Sequence, residues 1–249
     1  MARKNLGDVL HYFIPEDEQS EARARGVPDA PADTAPSGPA PRVCLPASPE
    51  RLVWCALALE LAGALAAERG RARVLASFAT SALLPEVPGV ELCGAERAPA
   101  ELASALAALP SSEPAVALER PERLPELLGR AGASLDALLL PVDASPAGVV
   151  RALRLLRELQ PALGGVRVCA WVVGAGSPEE AAELGERLAS AARRQHGIAV
   201  EVAPALSRDP ALFRALLHGE SVHASDDGSS TGARELRALS RSLVPRRAA

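Results

Sequence analysis

"VRVCAWVVGAGSPEEAAELGERLASAARR" (Val166–Arg194) opens on an apolar, valine-rich run, passes through a glycine turn, and continues as a polar segment with apolar residues at helical spacing. The run Val166–Val173 reads as a strand buried on both faces, and Pro178–Arg194 as a helix. Ser177-Pro178 marks the junction. A serine there caps free N–H groups, and proline supplies the fixed φ of the first turn. Glu180 stands where it would complete a capping box with Ser177.

The same unit recurs on either side. Ala137–Val142 is a near-continuous apolar strand, followed by Ser145-Pro146 and an amphipathic helix over Ala147–Leu159. Val43–Leu45 is followed by Ser48-Pro49 and a long helix over Pro49–Arg69. Further strands are predicted at Arg73–Phe78, Val90–Cys93, Ala115–Leu118 and Ile198–Val202. Further helices are predicted at Pro99–Leu109, Glu122–Ala131, Pro210–Leu217 and Gly232–Leu243. Apolar strands alternating with helices predict an α/β fold: a doubly wound, mostly parallel sheet with helices on both faces. Val43–Leu45, Ala115–Leu118 and Ala137–Val142 are expected near the sheet centre. The three Ser-Pro junctions then lie at the carboxyl ends of strands, where open α/β sheets bind ligands.

The chain has 249 residues, 48% hydrophobic and 23% charged. That suffices for one domain with a substantial core. With 2% aromatics, the core is built from Leu, Val and Ala. The net charge of −4 lacks the clustered positive footprint of a nucleic-acid binder. Cys44, Cys55, Cys93 and Cys169 lie far apart in apolar runs with no zinc spacing, so they read as reduced thiols. Val9–Ile14 is too short for a signal peptide and lacks a cleavage site. Leu52–Ala67, the longest apolar run, contains Glu60 and is shorter than a membrane span, so it reads as a buried helix. A cytoplasmic location without a transmembrane segment is expected.

Residues 1–41 are expected to form a flexible tail, residues 42–244 the α/β domain, and residues 245–249 a disordered C-terminus. Glu16–Pro41 is rich in Pro, Ala, Glu, Asp and Ser, too polar to offset the entropy of ordering. Ahead of it, Leu6, Val9, Leu10 and Phe13 fall at helical spacing. The segment reads equally as a disordered terminus and as a docking peptide for a protein partner.

The order of elements resembles the MinD/ParA group of P-loop ATPases, in particular the flagellar-number regulators among them. "LDALLLPVDASPAGVVRALRLLREL" (Leu135–Leu159) looks like the strand and helix after the family's switch region. Val166–Val222 is similar to its later run, including the "D-P-x-hydrophobic" turn at Asp209-Pro210. The resemblance covers residues 42–243 and implies a P-loop NTPase-like sheet. The signature motifs depart from it. In the family a glycine-rich loop with a lysine follows the first strand, its N–H groups and ammonium holding phosphate. The matching stretch here, "VCLPASPERLVWCALALELAGAL" (Val43–Leu65), has no lysine and no glycine before Gly63. The degenerate loop is Pro46, Ala47, Ser48, Pro49, Glu50 and Arg51. Proline has no N–H, a carboxylate repels an anion, and the Arg51 fork is no replacement for an ammonium. "RVLASFATS" (Arg73–Ser81) lacks the family's second aspartate. Glu119 falls near the Walker B aspartate; it reads as a relic of it or, the preferred reading, as a solvated strand-end charge. The family's adenine-reading asparagine would fall near Val173 or Gly174. Lys4 and Asn5 are the only lysine and asparagine in the chain, so no realignment restores these groups within residues 42–249.

Other signals point elsewhere. "GAGSPE" (Gly174–Glu179) invites a dinucleotide-binding reading, yet Glu179 replaces the third glycine and a capped turn explains it equally. His218 and His223, with Asp226 or Asp227, suggest a metal, but no ligand spacing accompanies them. "DASPAG" (Asp143–Gly148) lacks the glycines of a nucleophile elbow. Asp136 and Asp143 read as strand-end charges.

The resemblance implies a pseudo-ATPase: no catalytic residues, no cofactor, no metal, and function through protein contact as a scaffold or regulator of motility, polarity or surface-apparatus placement. The other reading is a small-molecule binder or enzyme at the same strand ends; a live ATPase is disfavoured. The cleft around Pro46–Glu50 discriminates between the first two. A filled cleft favours the scaffold, and an open one ringed by Ser48, Arg51, Glu119 and Asp143 favours a ligand.

Overall fold

A computed structural model of the chain describes residues 38–80, 84–225 and 230–244. The segment containing Leu6, Val9, Leu10 and Phe13, and residues 245–249, lie outside them. Ala40 is buried and donates its N–H to Ser111 O at 2.8 Å, and Arg69 Nη1 holds Gly38 O at 2.8 Å. Gly38 and Ala40 are thus held against the α/β domain ahead of Arg42.

The strands are β1 (Arg42–Pro46), β2 (Ala72–Ala76), β3 (Val90–Gly94), β4 (Ala115–Glu119), β5 (Ala137–Asp143), β6 (Arg167–Ala175), β7 (Val200–Val202) and β8 (Leu206–Ser207). They form one sheet in the order β3-β2-β4-β1-β5-β6-β7, with β8 also paired to β6. All the pairings are parallel. β4, β1 and β5 occupy the centre, as the continuous apolar runs require of strands covered on both faces.

The helices are α1 (Leu52–Arg69), α2 (Pro99–Ala108), α3 (Leu124–Ala131), α4 (Pro146–Leu159), α5 (Pro178–His196), α6 (Pro210–His218), α7 (Val222–Ser225) and α8 (Thr231–Ser242). Strand residues alternate between two cores. Val43, Leu45, Leu139, Trp171 and Val173 pack with α1, α6, α7 and α8. Cys44, Leu138, Leu140, Ala170 and Val172 pack with α2, α3, α4 and α5. This period of two makes three layers from sequences that read as unbroken apolar runs. α1 is buried continuously from Trp54 to Ala66 because sheet covers one side and α7 and α8 the other. Glu60 is the one charged residue in that stretch.

The junctions divide. Ser145 accepts Gly148 N–H at 3.0 Å and Ser177 accepts Glu180 N–H at 3.2 Å, so both cap helices as expected. The Glu180 carboxylate, however, accepts from Gly176 N at 2.7 Å instead of closing a capping box on Ser177. Ser48-Pro49 opens no helix. Arg51 N–H bonds Ser48 O at 2.9 Å, and α1 starts only at Leu52, without a side-chain cap. Serine followed by proline is also the signature of positions i and i+1 of a β-turn, and that is the geometry taken here.

Candidate functional site

The β1–α1 loop, the end of β4 and the β5–α4 junction meet at the carboxyl edge of the central strands. In the loop, Ala47 N–H is taken by Glu119 O at 2.9 Å. Ser48 O accepts from Arg51 N and from the Cys55 thiol at 3.7 Å. The Ser48 hydroxyl donates to the exposed Glu50 carboxylate, which holds Glu50 below the usual carboxylate range; Arg120 adds a smaller pull in the same direction. Burial, with Glu50 nearby, pushes the Cys55 thiol up to about 12, so it is inert. Pro46 and Pro49 contribute no N–H. The loop thus spends its polar groups on itself.

Glu119 overturns the expectation of a solvated charge. Its side chain is fully buried. Oε1 accepts from the Ser77 hydroxyl and from Arg120 N at 2.9 Å, and Arg123 Nε stands 3.8 Å away. Ser77 lies just past β2, and no local pattern marks its hydroxyl as the partner of a residue 42 positions on. Burial, with the Glu119 charge beside it, pushes the Cys44 thiol up.

Between this loop and α4 lies an open cleft of about 410 Å³. Ser48, Arg51 and Asp143 border it; Glu119, beneath the surface, does not. Ala47, Trp54, Leu140 and Leu155 supply the apolar floor. Arg120, Arg151 and Arg154, with Glu50, Glu122 and Glu158, supply the polar rim. Arg120 is tied to Glu96 at 3.0 Å and lies 6.0 Å over the Phe78 ring; Arg151 is paired with Asp143. Arg151, Arg154, Leu155 and Glu158 recur at helical spacing along α4 and together form one wall. The tight β5–α4 turn depends on Gly148: a Cβ there would stand 2.2 Å from Asp143 O.

The other candidate residues do not join this site. The Gly174–Glu179 turn is satisfied by Ser177 and Glu180. His223 Nε2 lies 2.9 Å from Glu60 O and 3.6 Å from Glu60 Oε2, so it packs on α1. Asp226 and Asp227 lie outside the described residues. Among the described residues, no three of His, Cys, Asp and Glu converge in a way that could hold a metal, no disulfide links the cysteines, and no helix is long and apolar enough to cross a membrane. Asp136 is half-buried and accepts Arg42 N at 2.7 Å, at the opposite end of the strands.

No protein-family model and no curated protein matches the chain in sequence. Solved structures match it in fold. The Pyrococcus furiosus cell division ATPase MinD superposes with a TM-score of 0.57 at 14% identity, over 82% of this chain and 98% of that one. The MinC:MinD cell division complex of Aquifex aeolicus gives 0.56 at 11% identity, over 82% and 95%. A ParA family ATPase from Chlorobium tepidum gives 0.54 at 12%, over 81% and 98%. The chain has the mostly parallel α/β fold of the MinD and ParA ATPases.

Proposed function

We propose that this chain is a MinD/ParA-like pseudo-ATPase that acts by protein contact, as a scaffold or regulator of cellular positioning. The carrying observation is the β1–α1 loop. A phosphate site at a helix N-terminus needs several free N–H groups and a compensating cation. Here two prolines remove donors, the turn closes on Ser48 O, and the Glu50 carboxylate stands at the rim. A buried glutamate hydrogen-bonded to Ser77 replaces an aspartate open to a metal-bound phosphate. Residues 42–249 contain no lysine to neutralise phosphate charge. The nearest class of action for this fold without nucleotide is binding. A MinD neighbour is known in complex with MinC, which supports a protein partner for this chain. We place the docking element at Leu6, Val9, Leu10 and Phe13, and the protein in the cytoplasm. Hydrolysis of Mg-ATP by the purified full chain tests the reading: it predicts no turnover above buffer, and turnover abolished by Glu119→Gln contradicts it.

The cleft is open, the outcome that favours a ligand over a pure scaffold although Glu119 is not in its lining, and this supports a second reading in which the same strand ends hold a small molecule other than a nucleotide. About 410 Å³ falls within the range of small-molecule pockets.

A further inference from the structure

The rim of the cleft carries as many arginines as carboxylates: Arg51, Arg120, Arg151 and Arg154 against Glu50, Glu122, Asp143 and Glu158. Some of these are already satisfied. Arg151 holds Asp143, Arg120 holds Glu96, and Glu50 accepts from Ser48. Among the described residues, Arg51 and Arg154 form no ion pair, and neither do Glu122 and Glu158. Arg154 and Glu158 are both exposed on the side of α4 that lines the cleft, one turn apart, and form no ion pair with each other. The two signs alternate around the lining, Glu50 beside Arg51 and Arg154 one turn from Glu158, and the same lining includes the apolar Trp54 and Leu155.

A simple anion would meet an arginine and be repelled by the neighbouring carboxylates. A simple cation meets the converse. A ligand with both charges on an apolar body satisfies both sets: its carboxylate takes the planar fork of an arginine, its ammonium a glutamate, and its body covers the floor. We infer that the cleft between the β1–α1 loop and α4 binds a zwitterionic small molecule of dipeptide size through Arg51, Arg154, Glu122 and Glu158. This rests on the reading of the cleft as a ligand site and is independent of the absence of nucleotide chemistry.

Three probes with one body separate the charges: leucyl-leucine carries both, N-acetyl-leucyl-leucine only the carboxylate, and leucyl-leucine amide only the ammonium. Calorimetric titration of the full chain is expected to show leucyl-leucine binding at least about tenfold tighter than either single-charge probe. Arg154→Gln and Glu158→Gln, both on an exposed helix face, are expected to weaken it about fivefold or more without moving the melting temperature. Equal affinity for the three probes overturns the zwitterion assignment while leaving a ligand cleft. No binding of any probe at about 10 mM overturns the assignment as well, leaving the nucleotide reading to its own test. Binding indifferent to both substitutions places the ligand elsewhere and overturns it too.

Discussion

The Ser77 hydroxyl donates a hydrogen bond to the carboxylate of Glu119, tying the end of β2 to the end of β4 beneath the central cleft. Glu119 is fully buried, and its Oε2 has no hydrogen-bond partner among the described residues. A buried carboxylate with so few donors depends on each of them, so the pair is read as structural. Ser77→Ala should lower unfolding stability by about 1–3 kcal/mol, the cost of leaving a buried acceptor unsatisfied. Urea denaturation measures this; an unchanged midpoint would show that Ser77 does not support Glu119.

Glu60 gives a pH dependence. It is buried in the apolar stretch of α1, where Ser221 Oγ donates to it at 3.2 Å. Desolvation raises its pKa to about 7, against a smaller lowering by the Ser221 and Val222 hydrogen bonds. The folded state therefore holds a proton that the unfolded chain releases near pH 4.5. Its contribution is fully present below that pH and is lost as pH rises toward 7, after which it levels off. Glu60→Gln removes the titration. The variant and the parent should have similar stability near pH 5, and the variant should be more stable at pH 8 by a few kcal/mol. Thermal melts across that range check the sign; a parent that gains stability from pH 5 to 7 relative to the variant would contradict it.

Asp209 joins α6 to α8. Its Oδ1 accepts from Ala211 N at 2.8 Å and Leu212 N at 3.4 Å, and its Oδ2 accepts from Gly232 N at 2.8 Å. Asp209→Ala loses an N-cap and an inter-helix bond together, a cost of about 2–3 kcal/mol. Asp209→Asn keeps an acceptor oxygen and should retain roughly half of that stabilisation. Denaturant titration of both variants decides.

The sheet was legible because its strands are apolar on both faces and its helices polar on one. Ala137–Val142 and Val166–Val173 needed no partner to be read. Ser48-Pro49 was misleading because serine and proline serve a helix cap and a β-turn alike, and what decides is whether the following residues continue as helix. Here Arg51 N turns back to Ser48 O. The Ser77–Glu119 and Glu60–His223 pairs were illegible for another reason: they join residues 42 and 163 positions apart, and nothing local marks either partner. The helix over Ala147–Leu159 was legible as an amphipathic pattern; that its Arg151, Arg154, Leu155 and Glu158 face the β1–α1 loop was not.

The proposed docking segment makes its own prediction. Leu6, Val9, Leu10 and Phe13 form one stripe if residues 5–14 become helical, and so short a helix is marginal without a surface to pack on. Leu10→Asp with Phe13→Asp should leave the melting temperature of the domain unchanged and abolish capture of a partner by the full chain. Each buried side chain contributes about 1.5–3 kcal/mol, or roughly one to two decades of affinity. A fall in melting temperature would instead mean that the segment stabilises its own domain.

Nucleotide binding by the full chain separates a pseudo-ATPase from a live one most directly. Calorimetric titration of the full chain with Mg-ATP is the measurement. Two prolines and the Glu50 carboxylate in the β1–α1 loop, with no lysine in residues 42–249, predict no saturable heat at about 1 mM nucleotide. Saturable binding with a Kd of about 1–10 µM would contradict it.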